Sequence, residues 1–184
     1  MNKMINASLC LAVFVPVISY AADFTLTSTD IAEGEMMPDA QEFVGFGCEG
    51  GNTSPQLAWS GAPEGTRSFA LTVYDPDAPT GSGWWHWQAV NIPADVTELK
   101  TGAGSVGKNM MPEGSMQIVN DYGSRGFGGA CPPVGDKAHR YQFTLHALKV
   151  EKLELPEDAS GALAGYMINA NAIETATIEA LYKK

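Results

Sequence analysis

The fold is indicated most clearly by residues 67–79, which read RSFALTVYDPDAP. Up to residue 75 the side chains alternate, so that Phe69, Leu71 and Val73 share one face. This period of two predicts a β-strand, and the proline at position 76 keeps the residue before it extended. Asp75 therefore lies at the end of a predicted core strand, on its core-facing side.

A second stretch, residues 139–147 (HRYQFTLHA), alternates in the same way, with His139 and Tyr141 opening the apolar face. Further strands are predicted at 24–27, 57–59, 87–92 and 116–120. Pro156 opens a predicted short helix at 157–164, and helical spacing of apolar residues predicts a second, C-terminal helix at 171–182. Together these elements predict a mainly β sandwich with a few short peripheral helices, in one domain spanning 22–184.

Residues 1–21 have the three parts of a secretory signal peptide. Lys3 precedes an apolar run from 9 to 18, and small residues at positions 19 and 21 predict cleavage after Ala21. The alternative is a membrane anchor, but the run is shorter than the ~20 residues that span a bilayer. We therefore expect an exported chain without a transmembrane segment.

Cleavage would leave two of the three cysteines, Cys48 and Cys131. An even cysteine count in an exported chain predicts a disulfide between them. Two free buried thiols are the alternative.

The chain is acidic, with a net charge of −10 and a pI near 4.6. Phosphates of nucleic acids or anionic lipid surfaces would be repelled at long range, so the charge argues against both as partners. The composition argues against a disordered chain and indicates a globular one, because 45% of the residues are hydrophobic.

Three polar residues stand out against this apolar background. Asp75 either caps its own turn or is buried with a partner, since a buried lone carboxylate is costly. His139 is either a satisfied core histidine or a site residue. His86, in the tryptophan-rich segment 83–87 (GWWHW), belongs either to core packing or to an aromatic-walled pocket with one polar group.

Two glycine-rich segments are candidates for anion-binding sites. Segment 123–133 (GSRGFGGACPP) precedes His139, and its glycines would let backbone N–H groups converge on an anion. Segment 102–108 (GAGSVGK) approaches the phosphate-loop pattern but continues with Asn109 in place of Ser or Thr, so it is set aside. The acidic and histidine residues lack metal-ligand spacing, and we expect neither a metal nor a cofactor.

Four segments in order carry a family resemblance: 51–59 (GNTSPQLAW), 75–79 (DPDAP), 83–93 (GWWHWQAVNIP) and 132–141 (PPVGDKAHRY). Together they resemble the phosphatidylethanolamine-binding protein (PEBP) family, in particular its bacterial, Raf-kinase-inhibitor-like YbhB/YbcL group. The resemblance implies a sandwich of two antiparallel sheets with a small anion pocket at one end. Carried over residue by residue, its lining would be Asp75, His86, His139, Tyr141, Pro132 and Pro133.

In that family the pocket takes phosphate-like groups, including phospholipid headgroups and phosphorylated side chains. The leading hypothesis is therefore a non-enzymatic binding protein of the bacterial periplasm, or one released outside the cell. The second hypothesis is a modulator that inhibits another protein by binding it, and the third is a hydrolase using the His/Asp cluster. Analogy also suggests a homodimer. If both pocket histidines are protonated, an anion should bind more strongly near pH 6 than near pH 8.

Overall fold

The fold is described by a computed structural model that covers residues 23–184. The predicted signal peptide and its cleavage site lie outside these residues. The described strands, in chain order, are Thr25–Thr27 (β1), Val44–Gly45 (β2), Cys48–Glu49 (β3), Leu57–Ser60 (β4), Ser68–Asp75 (β5), Trp84–Pro93 (β6), Glu98–Leu99 (β7), Met116–Gln117 (β8), His139–Leu148 (β9) and Ala172–Tyr182 (β10). A 3-10 turn covers Asp39–Gln41, and an α-helix (α1) covers Gly161–Asn171.

Three antiparallel sheets make up the domain. The largest has five strands in the order β10-β9-β5-β6-β8, a second has the order β1-β4-β7, and β2 pairs with β3 in a short hairpin. The mainly β architecture confirms the predicted fold class. Within residues 23–184 no helix is long and apolar enough to cross a membrane.

The five-stranded sheet has an apolar core on each of its two faces. On one side Phe69, Leu71 and Val73 of β5 pack into the larger cluster with Trp59 of β4. On the other side Ala70 and residues of α1 such as Ile168 form a second cluster. The strand at 67–75 is therefore buried on both faces, because α1 covers the face that its alternating pattern would leave to solvent.

The predicted C-terminal helix at 171–182 is wrong, because this segment is strand β10. It pairs with β9 along its length, with Ile178 opposite Phe143 and Tyr182 opposite His139. β-branched residues recur along it, and from residue 176 onward its side chains alternate between more and less buried positions. The helical spacing seen in the sequence is a coincidence of small residues that fit either period.

The other predicted helix is displaced toward the C-terminus. It begins at Gly161 rather than at 157, because the Ser160 hydroxyl caps it by accepting a hydrogen bond from the Leu163 backbone N–H. It runs to Asn171 and leads directly into β10.

The C-terminal part of the outer edge of β10 is covered by residues 34–37, a segment near the start of the described residues. Backbone N–H groups of Gly34 and Met37 donate to the carbonyls of Glu179 and Leu181, at 2.8 and 2.7 Å. The Leu181 N–H donates in return to the Glu35 carbonyl. Segment 34–37 thus occupies the C-terminal part of the edge that β10 would otherwise expose.

Candidate functional site

A cavity of about 200 Å³ lies where β5 ends and β6 and β9 begin. Antiparallel pairing brings these strand ends to the same end of the sheet, with Asp75 opposite Trp84 in the register. The six residues named from the sequence as pocket residues all line it, namely Asp75, His86, Pro132, Pro133, His139 and Tyr141. The remaining lining residues were not predicted from the sequence as pocket residues; they are Phe46, Ala78, Pro79, Thr80, Trp84, Tyr122 and Cys131.

Asp75 is buried and engaged through both carboxylate oxygens. Its Oδ1 accepts hydrogen bonds from the backbone N–H groups of Asp77 and Ala78, at 2.8 and 3.1 Å. Its Oδ2 lies 2.8 Å from Nδ1 of His139. Both alternatives weighed from the sequence therefore hold, because the carboxylate caps its turn and also pairs with a site histidine.

His139 lies between two carboxylates of different exposure. Its Nδ1 faces buried Asp75, and its Nε2 lies 3.4 Å from Oδ2 of Asp136, a half-exposed residue. This arrangement fixes the orientation of the imidazole ring at the cavity wall.

His86 is held in a single orientation by the glycine-rich loop. Its Nδ1 donates to the carbonyl oxygens of Gly128 and Gly129, at 2.8 and 3.1 Å, so Nδ1 carries the hydrogen. Burial lowers the pKa of His86, although the two carbonyls oppose this shift. The ring is therefore neutral at pH 7, and its Nε2 is an acceptor without a partner in the part of the chain that the structure describes.

The expectation that this loop offers its N–H groups to an anion is wrong for its central glycines. The N–H groups of Gly128 and Gly129 donate to the His86 carbonyl and to Oδ1 of Asn52. The carbonyls rather than the amides face the histidine, so the loop holds His86 in place.

Two further polar atoms on lining side chains lack a partner among the described residues. They are the hydroxyl of Tyr141 and Nε1 of Trp84, both buried. Burial raises the pKa of the Tyr141 phenol well above its ordinary value, so it stays a neutral hydrogen-bond donor. Buried polar groups in proteins are rarely left without partners, so these atoms mark a place for a ligand or water.

Tyr122 is an aromatic residue of the cavity wall. Its ring packs edge-on against His86 with centroids 5.6 Å apart and stacks on Phe43 at 3.8 Å. Its hydroxyl donates to the Gly129 carbonyl at 3.1 Å. A Cβ at Gly128 would lie 2.4 Å from the Tyr122 ring, which explains the glycine there. The only signal for Tyr122 in the sequence is its place just before the glycine-rich segment.

The rim of the cavity is built from two loops joined by the disulfide between Cys48 and Cys131, which confirms the predicted pairing. Phe46, in the first loop, lines the cavity and is 81% exposed. Val134, just after the second loop's prolines, is 79% exposed. The rim is thus apolar and accessible, whereas the polar groups lie on buried side chains.

The charge at the cavity is negative. Among the described residues that line it, none is Lys or Arg, and Asp75 is the one carboxylate. Two of the nearby cations contact Asp77: Nε of Arg140 lies 2.9 Å and Nζ of Lys137 3.7 Å from its carboxylate oxygens. A third, Lys184, donates from Nζ to the Gly47 carbonyl at the rim. The hydrogen bond with Arg140 holds the pKa of Asp77 far below its ordinary value.

Comparison with known proteins identifies a family to which this chain is similar. The model of the phosphatidylethanolamine-binding protein family matches residues 27–183. UPF0098 protein YbcL of Escherichia coli (strain K12) is 58% identical over 170 residues, which cover 92% of this chain and 93% of the relative. UPF0098 protein YbhB of the same organism is 48% identical over 157 residues, covering 85% and 98%.

The crystal structure of E. coli YbcL, described as a new member of the mammalian PEBP family, matches the fold with a TM-score of 0.87 at 60% identity. The match covers 89% of this chain and 99% of that one. The motifs at both strand ends, the fold and these likenesses agree, and the chain belongs to the phosphatidylethanolamine-binding protein family.

Proposed function

We propose that this protein is a non-enzymatic binding protein that holds a small anion or phosphate-bearing group in the cavity at the end of the five-stranded sheet. One observation carries the proposal: Nε2 of His86, the Tyr141 hydroxyl and Nε1 of Trp84 are buried on lining side chains and have no hydrogen-bond partner within residues 23–184. A ligand with oxygen acceptors for the two donors and an O–H group for Nε2 of His86 would satisfy these groups together.

We propose further that the chain acts after export, in the periplasm or outside the cell. The signal-like pattern of residues 1–21 supports this location. The Cys48–Cys131 disulfide supports it as well, because such bonds persist in oxidising compartments.

The absence of catalysis is also part of the proposal. Asp75 uses both oxygens to hold its own turn and His139, an arrangement that suits a fixed binding wall. Hydrolysis of a phosphate monoester by the purified protein, lost in His139→Ala, would favour the hydrolase alternative instead.

The test is calorimetric titration of residues 22–184 with phenyl phosphate, inorganic phosphate and phosphoethanolamine at pH 6. Tyr141→Phe removes one hydroxyl from the cavity wall and should weaken binding about tenfold or more, the weight of one hydrogen bond to a charged group. Tyr166→Phe is the matched control, because Tyr166 lies on α1 and is 70% exposed. No heat of binding with any probe, or equal losses in both variants, would overturn the proposal.

A second candidate is a modulator that binds another protein through the rim. It is favoured by the exposure of Phe46 and Val134 on the loops that the disulfide joins. This candidate predicts that Phe46→Ser abolishes a complex that Tyr141→Phe leaves intact.

A further inference from the structure

The hydrogen-bonding capacity of the cavity wall is mixed, and this restricts the ionic form of a phosphate ligand. The Tyr141 hydroxyl and Nε1 of Trp84 are donors. Nε2 of His86 is an acceptor, because the hydrogen of that ring is on Nδ1 and is shared by two backbone carbonyls. The Asp75 carboxylate is a second acceptor and carries a negative charge.

A fully ionised phosphate ester has acceptor oxygens only. Placed in this cavity, it would satisfy the two donors but would set a charged oxygen against the lone pair of His86. No described lining residue is Lys or Arg, and both ring nitrogens of His139 already face carboxylates, so nothing on the wall is free to offset two charges beside Asp75. Leaving a buried acceptor unpaired next to like charge is costly, so the dianion fits poorly.

The singly protonated ester fits each of these groups. Its unprotonated oxygens accept from Tyr141 and Trp84, and its P–OH donates to Nε2 of His86. Resting on the proposed function, we propose that the cavity selects phosphate monoesters in their protonated, singly charged form, with His86 as the residue that reads the proton.

The charged and titratable groups around His86 and the cavity come from every element packed at the site. They are Asp75 and Asp77 from β5 and its turn, Asp121, Tyr122, Asp136 and Lys137 from the connecting loops, His139, Arg140 and Tyr141 from β9, and Tyr182 and Lys184 from the end of β10 and the residues after it. The carboxylates outnumber the lysine and arginine side chains; Lys137 and Arg140 contact Asp77, and Lys184 donates to the Gly47 carbonyl. None of these three cations lines the cavity, so a second negative charge beside Asp75 has no cation in direct contact.

The proposal predicts that the pH dependence of binding affinity is set by the second pKa of the ligand. The second pKa of a phosphate monoester is about 6, so affinity should fall roughly tenfold per pH unit above it. Benzylphosphonate, whose second pKa is higher, should keep its affinity to a higher pH, and its α,α-difluoro analogue should lose affinity at a lower pH. Phenyl sulfate, a singly charged ester without an ionisable proton in this range, should bind far more weakly than phenyl phosphate at pH 5.5.

Titration calorimetry of the four probes from pH 5.5 to 8.5 tests this directly. A profile with the same midpoint for every ligand would mean that a protein group sets the pH dependence and would overturn the inference. Phenyl sulfate binding as tightly as phenyl phosphate would overturn it too. In both cases the proposed function would survive, whereas no binding of any probe at pH 5.5 would remove both.

His86→Asn gives a second test, because the Asn amide reaches the position of Nδ1 but leaves no group at Nε2. It should lose affinity for phenyl phosphate at pH 5.5 while its thermal unfolding stays cooperative. In the wild type, nitrogen-15 NMR should find the hydrogen of free His86 on Nδ1 and a shift at Nε2 on phenyl phosphate addition. An Nε2 signal that does not respond while the ligand binds would contradict the proposed role of His86.

Discussion

Nδ1 of His139 and Oδ2 of Asp75 are 2.8 Å apart, and the two side chains are only 3% and 4% exposed. The pair joins residues 64 positions apart in the chain, at the end of β5 and the start of its neighbour β9. It therefore links the geometry of the cavity to the pairing of the two central strands.

Breaking this pair should destabilise the fold in a graded way. Asp75→Asn keeps an oxygen for the turn N–H groups of Asp77 and Ala78 and should cost about 1–3 kcal/mol. Asp75→Ala leaves those groups and His139 unpaired and should cost about 3–5 kcal/mol. Urea unfolding of both variants measures the order, and equal losses would show that the turn hydrogen bonds carry no weight.

Two tyrosine hydroxyls on the cavity wall should behave in opposite ways. Tyr141→Phe removes a buried hydroxyl that has no partner among the described residues, so the free energy of unfolding should stay unchanged or rise by up to about 1 kcal/mol. Tyr122→Phe removes a hydrogen bond to the Gly129 carbonyl and should cost about 1 kcal/mol. Thermal unfolding without ligand compares them, and a clear loss in Tyr141→Phe would mean that its hydroxyl has a structural role.

The disulfide should contribute strongly to stability. It joins cysteines 83 positions apart, and chain-entropy arguments give about 4–5 kcal/mol for a loop of that size as an upper figure. The double variant Cys48→Ser/Cys131→Ser should therefore be about 2–5 kcal/mol less stable than the oxidised protein. Wild type unfolded in the presence of a dithiol is the matched control, and it should lose a similar amount. Unchanged stability in both would contradict the prediction.

Phe46 should lower the stability of the fold while providing apolar contacts at the cavity rim. Its φ of +53° is uncommon for a side chain other than glycine, and its ring is mostly exposed. Phe46→Gly relieves a backbone conformation that costs about 1 kcal/mol and removes the apolar rim. We expect equal or higher stability, weaker binding of phenyl phosphate and unchanged binding of inorganic phosphate. Equal losses for both ligands would assign Phe46 to the polar site instead.

Stability should fall in mild acid because of His146. Its ring lies on β9 with Nε2 3.2 Å from the Thr72 hydroxyl, and burial lowers its pKa to about 4. The unfolded chain, with an ordinary value near 6.5, binds the proton first. Stability is therefore complete above about pH 6.5 and declines toward pH 4, by about 3 kcal/mol if His146 acts alone.

His146→Gln should remove most of this decline, because glutamine carries no proton in this range. Urea unfolding at pH 7, 5.5 and 4.5 compares the variant with the wild type. A parallel decline in the two proteins would assign the acid sensitivity to other groups, such as His86, whose pKa burial also lowers.

The polar part of the site was predictable because it lies at strand ends that alternate clearly. Asp75, His139 and Tyr141 keep the period of two, so their face and their place at the strand ends could be inferred. Phe46 and Tyr122 could not be inferred in this way, since both lie in loops whose approach to the cavity depends on contacts remote in the chain.

The C-terminal strand and the orientation of the glycine-rich loop escaped prediction for a related reason. Ala176, Thr177 and Ala180 satisfy a helical and an extended pattern equally, and pairing with β9 decides between them. Glycine permits many backbone directions, so only the observed hydrogen bonds show that the carbonyls of Gly128 and Gly129 point to His86.

The position of β10 bears on when this protein can fold. Its residues follow those of every other described element in the sequence, yet they form an edge strand of the largest sheet and contact segment 34–37. The nascent chain therefore lacks one strand of this sheet until residues 172–182 have been synthesised. Late arrival of this strand delays the native state of the domain until these residues can pair with β9.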